Sequence, residues 1–71
     1  MSIWKTLRQE KPSIFANVIV LTRNNKITKA FYNPDDGKFW NRVGLVKPIS
    51  YKRWCYEEEL VKEILNQIKK L

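Results

Sequence analysis

Histidine is missing from this 71-residue chain, and cysteine occurs once, at Cys55. These two facts close several routes at once. One thiol forms no intrachain disulfide, and without histidine a Cys/His zinc site is excluded. The commonest general base of enzymes is absent as well. Glycine is found only at Gly37 and Gly44, so no Gly-rich phosphate loop can be built. Ser2, Ser13 and Ser50 have no base partner visible in the sequence. No apolar run is long enough to span a bilayer, and the stretch Met1-Ser2-Ile3-Trp4-Lys5 lacks the apolar centre of a secretory signal. The expectation is a non-enzymatic protein with no cofactor, metal, small-molecule substrate or membrane segment. A single free cysteine fits a reducing cytoplasm.

Aromatic residues are present in quantity. Trp4, Phe15, Phe31, Tyr32, Phe39, Trp40, Tyr51, Trp54 and Tyr56 are a heavy apolar load for one short domain. A chain of this length buries only about 60% of its unfolded surface, so its packing must be efficient. Positive charge is also in excess, with 14 Lys+Arg against 7 Asp+Glu and a net charge of +7. Its distribution is uneven. Residues 1–54 hold eleven basic residues and three acids, a balance of +8, whereas residues 55–71 hold three lysines and four glutamates, a balance of −1. An anionic partner fits that asymmetry, and so does the simple need of a small domain to stay soluble.

The pattern predicts a single α+β domain over residues 1–71. Residues 1–16 read as an irregular segment, since Pro12 disfavours a helix through them. Residues 17–54 read as a small antiparallel β-meander of three to four strands. Asn17 to Arg23 is β-branched and unalternated, as a central strand covered on both faces would be. Asn24-Asn25 suits a two-residue type I′ hairpin turn, and Lys26 to Tyr32 returns as the second strand. Asn33-Pro34-Asp35-Asp36-Gly37 is a turn signal, followed by a third strand over Lys38 to Val43. Ile49 to Trp54 is the fourth, at an edge. Residues 56–70 form an amphipathic helix, with Val61, Ile64, Leu65, Ile68 and Leu71 on one stripe and Leu60 beside it. Glu57, Glu58 and Glu59 open the helix while Lys69 and Lys70 close it, both in keeping with its dipole. At this chain length the stripe is expected to pack within the domain.

The chemistry of individual residues has a functional and a structural reading in each case. Cys55 beside Lys52 and Arg53 has the setting of an activated thiol, and equally that of a small apolar residue at the sheet–helix junction. Asp35-Asp36 is the one adjacent acidic pair outside the helix, and turn chemistry accounts for it. The strand phases place Lys26, Thr28, Tyr32, Lys38, Trp40, Arg42, Lys52 and Trp54 on one face. Cations there would neutralise phosphates while rings stack on bases. The other reading is that the helix covers those tryptophans, leaving the lysines at its rim. The candidate binding residues are Lys26, Lys38, Trp40, Arg42, Lys52 and Arg53.

Ile3-Trp4, Lys11-Pro12, Asn17-Val18-Ile19-Val20, Ile27, Ala30-Phe31-Tyr32, Phe39-Trp40 and Ile49 with Trp54 follow one another in an order that resembles a family of short phage- and prophage-encoded domains of unknown function. The resemblance covers residues 3–54. Those domains tend to end in a proline-rich tail, whereas this chain continues into a helix. The resemblance implies a phage origin, a cytoplasmic setting in the host cell and a small β-meander, and it carries no catalytic residue. Two functional expectations follow from the sequence. The first is a small basic nucleic-acid-binding module. The second is a phage-encoded effector that binds an acidic surface of a host protein and inhibits or redirects it.

Overall fold

The computed structural model describes residues 2–71. The chain is α+β: a five-stranded antiparallel sheet, open rather than closed, followed by one C-terminal helix. The strands are β1 (Val18–Thr22), β2 (Ile27–Asn33), β3 (Lys38–Asn41), β4 (Pro48–Ile49) and β5 (Tyr51–Tyr56), and the helix is α1 (Glu57–Lys69). Their order across the sheet is β4-β3-β2-β1-β5. The expected fourth strand is therefore two strands, and the meander ends with a return. Ser50 interrupts the run, so residues 48–49 pair with β3 while residues 51–56 pair with β1 at the opposite edge. One bent segment thus holds both ends of the sheet and curls it. Phe39 of β3 and Trp54 of β5 are separated by β2 and β1 in strand order, yet their rings lie 6.2 Å apart.

The hairpin between β1 and β2 differs from the expected type I′ turn. Only Asn25 takes a positive φ, at 63°. Thr22 N–H donates to the Lys26 carbonyl and Asn25 N–H to the Thr22 carbonyl. This is a three-residue loop of Arg23, Asn24 and Asn25, with the left-handed residue last, the next commonest hairpin solution. Between β2 and β3, Gly37 supplies the left-handed φ of 67° and its N–H donates to the Asn33 carbonyl. Asp36 accepts from the Lys38 N–H and Asn33 from the Asp35 N–H. The aspartates here act in the turn.

The core lies on the concave face. Val18, Val20, Ala30, Tyr32, Phe39 and Trp54 are buried there, with Leu7, Ile49, Tyr51 and Tyr56 packed around them. Phe39 meets Tyr51 edge-on at 4.8 Å and Tyr32 at 5.7 Å. Ile19 and Cys55 are buried as a facing pair on the opposite side, so β1 is covered on both faces as its unalternated sequence implied. The N-terminal segment is irregular but firmly attached. Lys5 and Trp54 exchange two backbone hydrogen bonds of 2.8 and 2.9 Å, which extends the β5 edge by one bridge. The Lys5 ammonium lies over the rings of Trp54 and Tyr56 and pairs with Glu59 at 3.0 Å and Glu10 at 3.4 Å. Burial alone would lower its pKa, but the two carboxylates outweigh burial and hold it above its ordinary value.

The helix packs on β1 and β5 through its first turn. Glu57 N–H donates to the Asn17 carbonyl, Glu57 pairs with Lys29, and Glu59 with Lys5. Beyond that turn the expectation of a buried stripe fails: α1 has no buried residue. The N-terminal segment and the curl of the sheet fill the place a covering helix would have taken. No helix among the described residues is long and apolar enough to cross a membrane.

Candidate nucleic-acid interface

The convex face of the sheet is set by register. Side chains alternate along each strand, so the parity of a pairing decides which residues share a face. Asn33 pairs with Lys38 across a turn of four residues, Pro34 to Gly37, so odd residues of β2 face even residues of β3. Phe31 accordingly stands opposite Trp40, and Tyr32 opposite Phe39. The three-residue loop between β1 and β2 keeps parity instead, pairing Ile19 with Lys29 and Leu21 with Ile27. The convex face therefore carries Leu21, Ile27, Lys29, Phe31, Lys38 and Trp40. Arg42 extends it, since its N–H donates to the Lys29 carbonyl, and Arg53 joins it opposite Leu21.

Four of the six residues singled out from the sequence meet on this face: Lys38, Trp40, Arg42 and Arg53. Lys26 and Lys52 do not. Lys26 sits at the hairpin end in the phase of Thr28 and Ala30. Lys52 is the extra residue of a bulge between the Arg53–Leu21 and Tyr51–Thr22 pairs, and its ammonium reaches Asn25 Oδ1 at 2.6 Å. Tyr32 and Trp54, expected beside Trp40, lie on the core side, with Trp54 wholly buried. The two tryptophans thus have opposite fates, and the helix covers neither in the manner expected.

The convex face also contains three residues that sequence reasoning placed elsewhere. Lys29 and Phe31 belonged to the opposite set under the assumed parity. Phe15 comes from the N-terminal segment, whose path no periodicity describes. Its ring lies 5.9 Å from that of Phe31, and it remains 63% exposed with a φ of 58°. A positive φ is uncommon for a bulky residue and marks a conformation held by its surroundings. Arg42 does the holding: its guanidinium lies 4.9 Å from the Phe31 ring centre while Nη2 donates to the Phe15 carbonyl at 2.9 Å. Trp40 is oriented from the β2–β3 turn, its indole N–H donating to the exposed Asp36 Oδ2 at 2.8 Å.

The result is a row of rings, Phe15, Phe31 and Trp40, framed by Lys29, Lys38 and Arg42, with Arg53 across the sheet. Among the described residues Lys38, Arg42 and Arg53 take part in no ion pair, whereas Lys29 meets Glu57 at 3.5 Å. Cys55 lies beneath this face, opposite Ile19. Its burial, and then the nearby Glu59 carboxylate, push the thiol up to about 11, so at neutral pH it is a protonated apolar filler. No family model matches the chain, and neither the curated proteins nor the solved structures contain a match to it.

Proposed function

We propose that the chain is a small, non-enzymatic nucleic-acid-binding module that uses its convex sheet face. The observation that carries the reading is the cross-strand pair of Phe31 and Trp40, partly exposed on a face whose Lys38, Arg42 and Arg53 side chains form no ion pair among the described residues. Rings in a row accept stacked bases whatever their sequence, and cations at their flanks track the phosphates. Such a surface suits a single strand, whose bases are free to lie on it. The net charge of +7 adds long-range attraction.

The test is a titration of short single- and double-stranded oligonucleotides, followed by tryptophan fluorescence at low and physiological salt. In a Trp4→Phe background binding is expected to weaken with salt and to quench a signal that Trp40→Phe removes, since the remaining Trp54 is buried. Trp40→Ala should lower affinity by about 1–3 kcal/mol, the contribution of one stacked base. Lys38→Ala and Arg53→Ala should each reduce the slope of log K against log salt by about 0.7–0.9. Slopes equal to wild type would remove those lysine and arginine assignments. No binding by fluorescence or gel shift at low salt would overturn the reading and make a protein the partner to seek.

A further inference from the structure

We infer that the C-terminal helix is a self-association surface, and that two copies of this chain pair through an antiparallel, two-fold contact of their α1 helices. The stripe on α1 is apolar and uncovered. Val61 and Ile64 are each 49% exposed, Leu65 48%, Ile68 56% and the terminal Leu71 fully. Together they present on the order of 500 Å² of apolar surface, as large as the largest patch of a typical soluble domain, which is often functional. Two such patches face to face bury at most about 1,000 Å², the size of a weak, concentration-dependent interface.

Spacing and charge select the occupant. Val61, Ile64, Ile68 and Leu71 recur at intervals of three, four and three, the a/d pattern of a helix seam, with Leu60 and Leu65 at its flanks. A seam of this kind is complementary to itself. The helix also has ends of opposite sign, with Glu57, Glu58 and Glu59 in its first turn and Lys69 and Lys70 at its close. A parallel pair would set three glutamates against three glutamates. An antiparallel pair centred on Ile64 and Leu65 sets Val61 opposite the partner's Ile68 and brings the partner's lysines towards the end where Glu57, Glu58 and Glu59 already meet Lys29, Lys62 and Lys5 of their own chain, so charge orients the pair while the apolar stripe holds it. The rest of the chain disfavours any other contact between copies. Residues 1–54 carry a balance of +8 and repel their like, whereas residues 55–71 carry −1. The helix is therefore where two copies can approach closely.

Sedimentation equilibrium of the full chain from about 5 to 300 µM, a range that spans micromolar association, tests the inference. The expected mass at the upper end is 17 kDa, twice the 8.5 kDa of one chain. Ile64→Lys, at a position outside the sheet core, should give 8.5 kDa throughout, with tryptophan emission and far-ultraviolet circular dichroism unchanged. Lys69→Glu with Lys70→Glu should raise the dissociation constant at least about tenfold at low salt and less at high salt, as screened charges do. A wild-type mass of one chain at every concentration would overturn the inference, and so would an Ile64→Lys variant that stays dimeric. Either result leaves the sheet-face reading intact, since oligonucleotide binding is measured separately.

Discussion

Replacing Phe39 by alanine should cost this domain most or all of its stability. Phe39 is wholly buried and stands where the curled sheet meets itself. It faces Tyr32 across β2–β3 and Ile49 across β3–β4, and it meets Tyr51 at 4.8 Å and Trp54 at 6.2 Å from the far edge. Truncating a buried phenylalanine loses its transfer free energy and leaves a cavity, together about 3–5 kcal/mol. A core of this size supplies only about 3–5 kcal/mol of net stability. The two figures are equal, so Phe39→Ala should show no folded baseline in urea at 25 °C, whether followed by circular dichroism or by tryptophan emission. Phe39→Leu, which keeps most of the volume, should fall between. Phe15→Ala is the control, since that ring is largely exposed and touches Phe31 alone among the aromatics. It should cost no more than about 1 kcal/mol, an aromatic pair's worth. A Phe39→Ala variant within about 1 kcal/mol of wild type would refute the claim that this ring closes the curl.

Three further measurements follow from the bridge between the N-terminal segment and β5 and from the thiol of that strand. Lys5→Met keeps the stem but removes the ammonium from Glu59, Glu10 and the two rings, and should cost about 1 kcal/mol in urea unfolding; an unchanged midpoint would mean that the backbone bridge alone anchors the segment. Cys55 should resist aromatic disulfide reagents at pH 8 until the protein unfolds, and a fast reaction in the native state would contradict its burial. The same thiol makes stability fall in alkali: between its ordinary 9.0 and about 11 the unfolded chain has lost a proton that the native one keeps. Wild type should therefore lose about 2 kcal/mol relative to Cys55→Ala across that window, while the two run parallel below pH 8.

Much of the fold is legible in local sequence. The β-branched run of β1, the alternation of β2, the turn at Asn33 to Gly37 and the dipole-matched helix each rest on interactions between near neighbours, and each forms close to its expected bounds. What depends on counting residues between strands is harder to read. A turn of four residues rather than five inverts which side chains share a face, and that single parity separated Trp40 from Tyr32 and joined it to Phe31. The break at Ser50 has the same character. One residue lets a strand leave β3 and cross to β1, and only the curled sheet explains why that is favourable.

The stripe on α1 is a different kind of miss. Its periodicity correctly identified an apolar helix face, but periodicity does not say what covers that face. In a chain of this size the economical assumption is that the domain covers its own helix. Here the concave face is closed instead by the bent β4–β5 segment and by Leu7, and the pair of Ile19 and Cys55 closes the other side of β1. Once both are satisfied, the concave side has no apolar surface left to receive Ile64, Leu65 and Ile68. The convex face does hold Phe31 and Trp40, but Lys29, Lys38 and Arg42 stand among them, and those cations would have to be desolvated to admit an apolar helix, at a cost the stripe cannot offset. Under the two proposals the exposed surfaces thus divide by charge: an anion for the cationic sheet face, and the near-neutral helix of a second copy for the stripe.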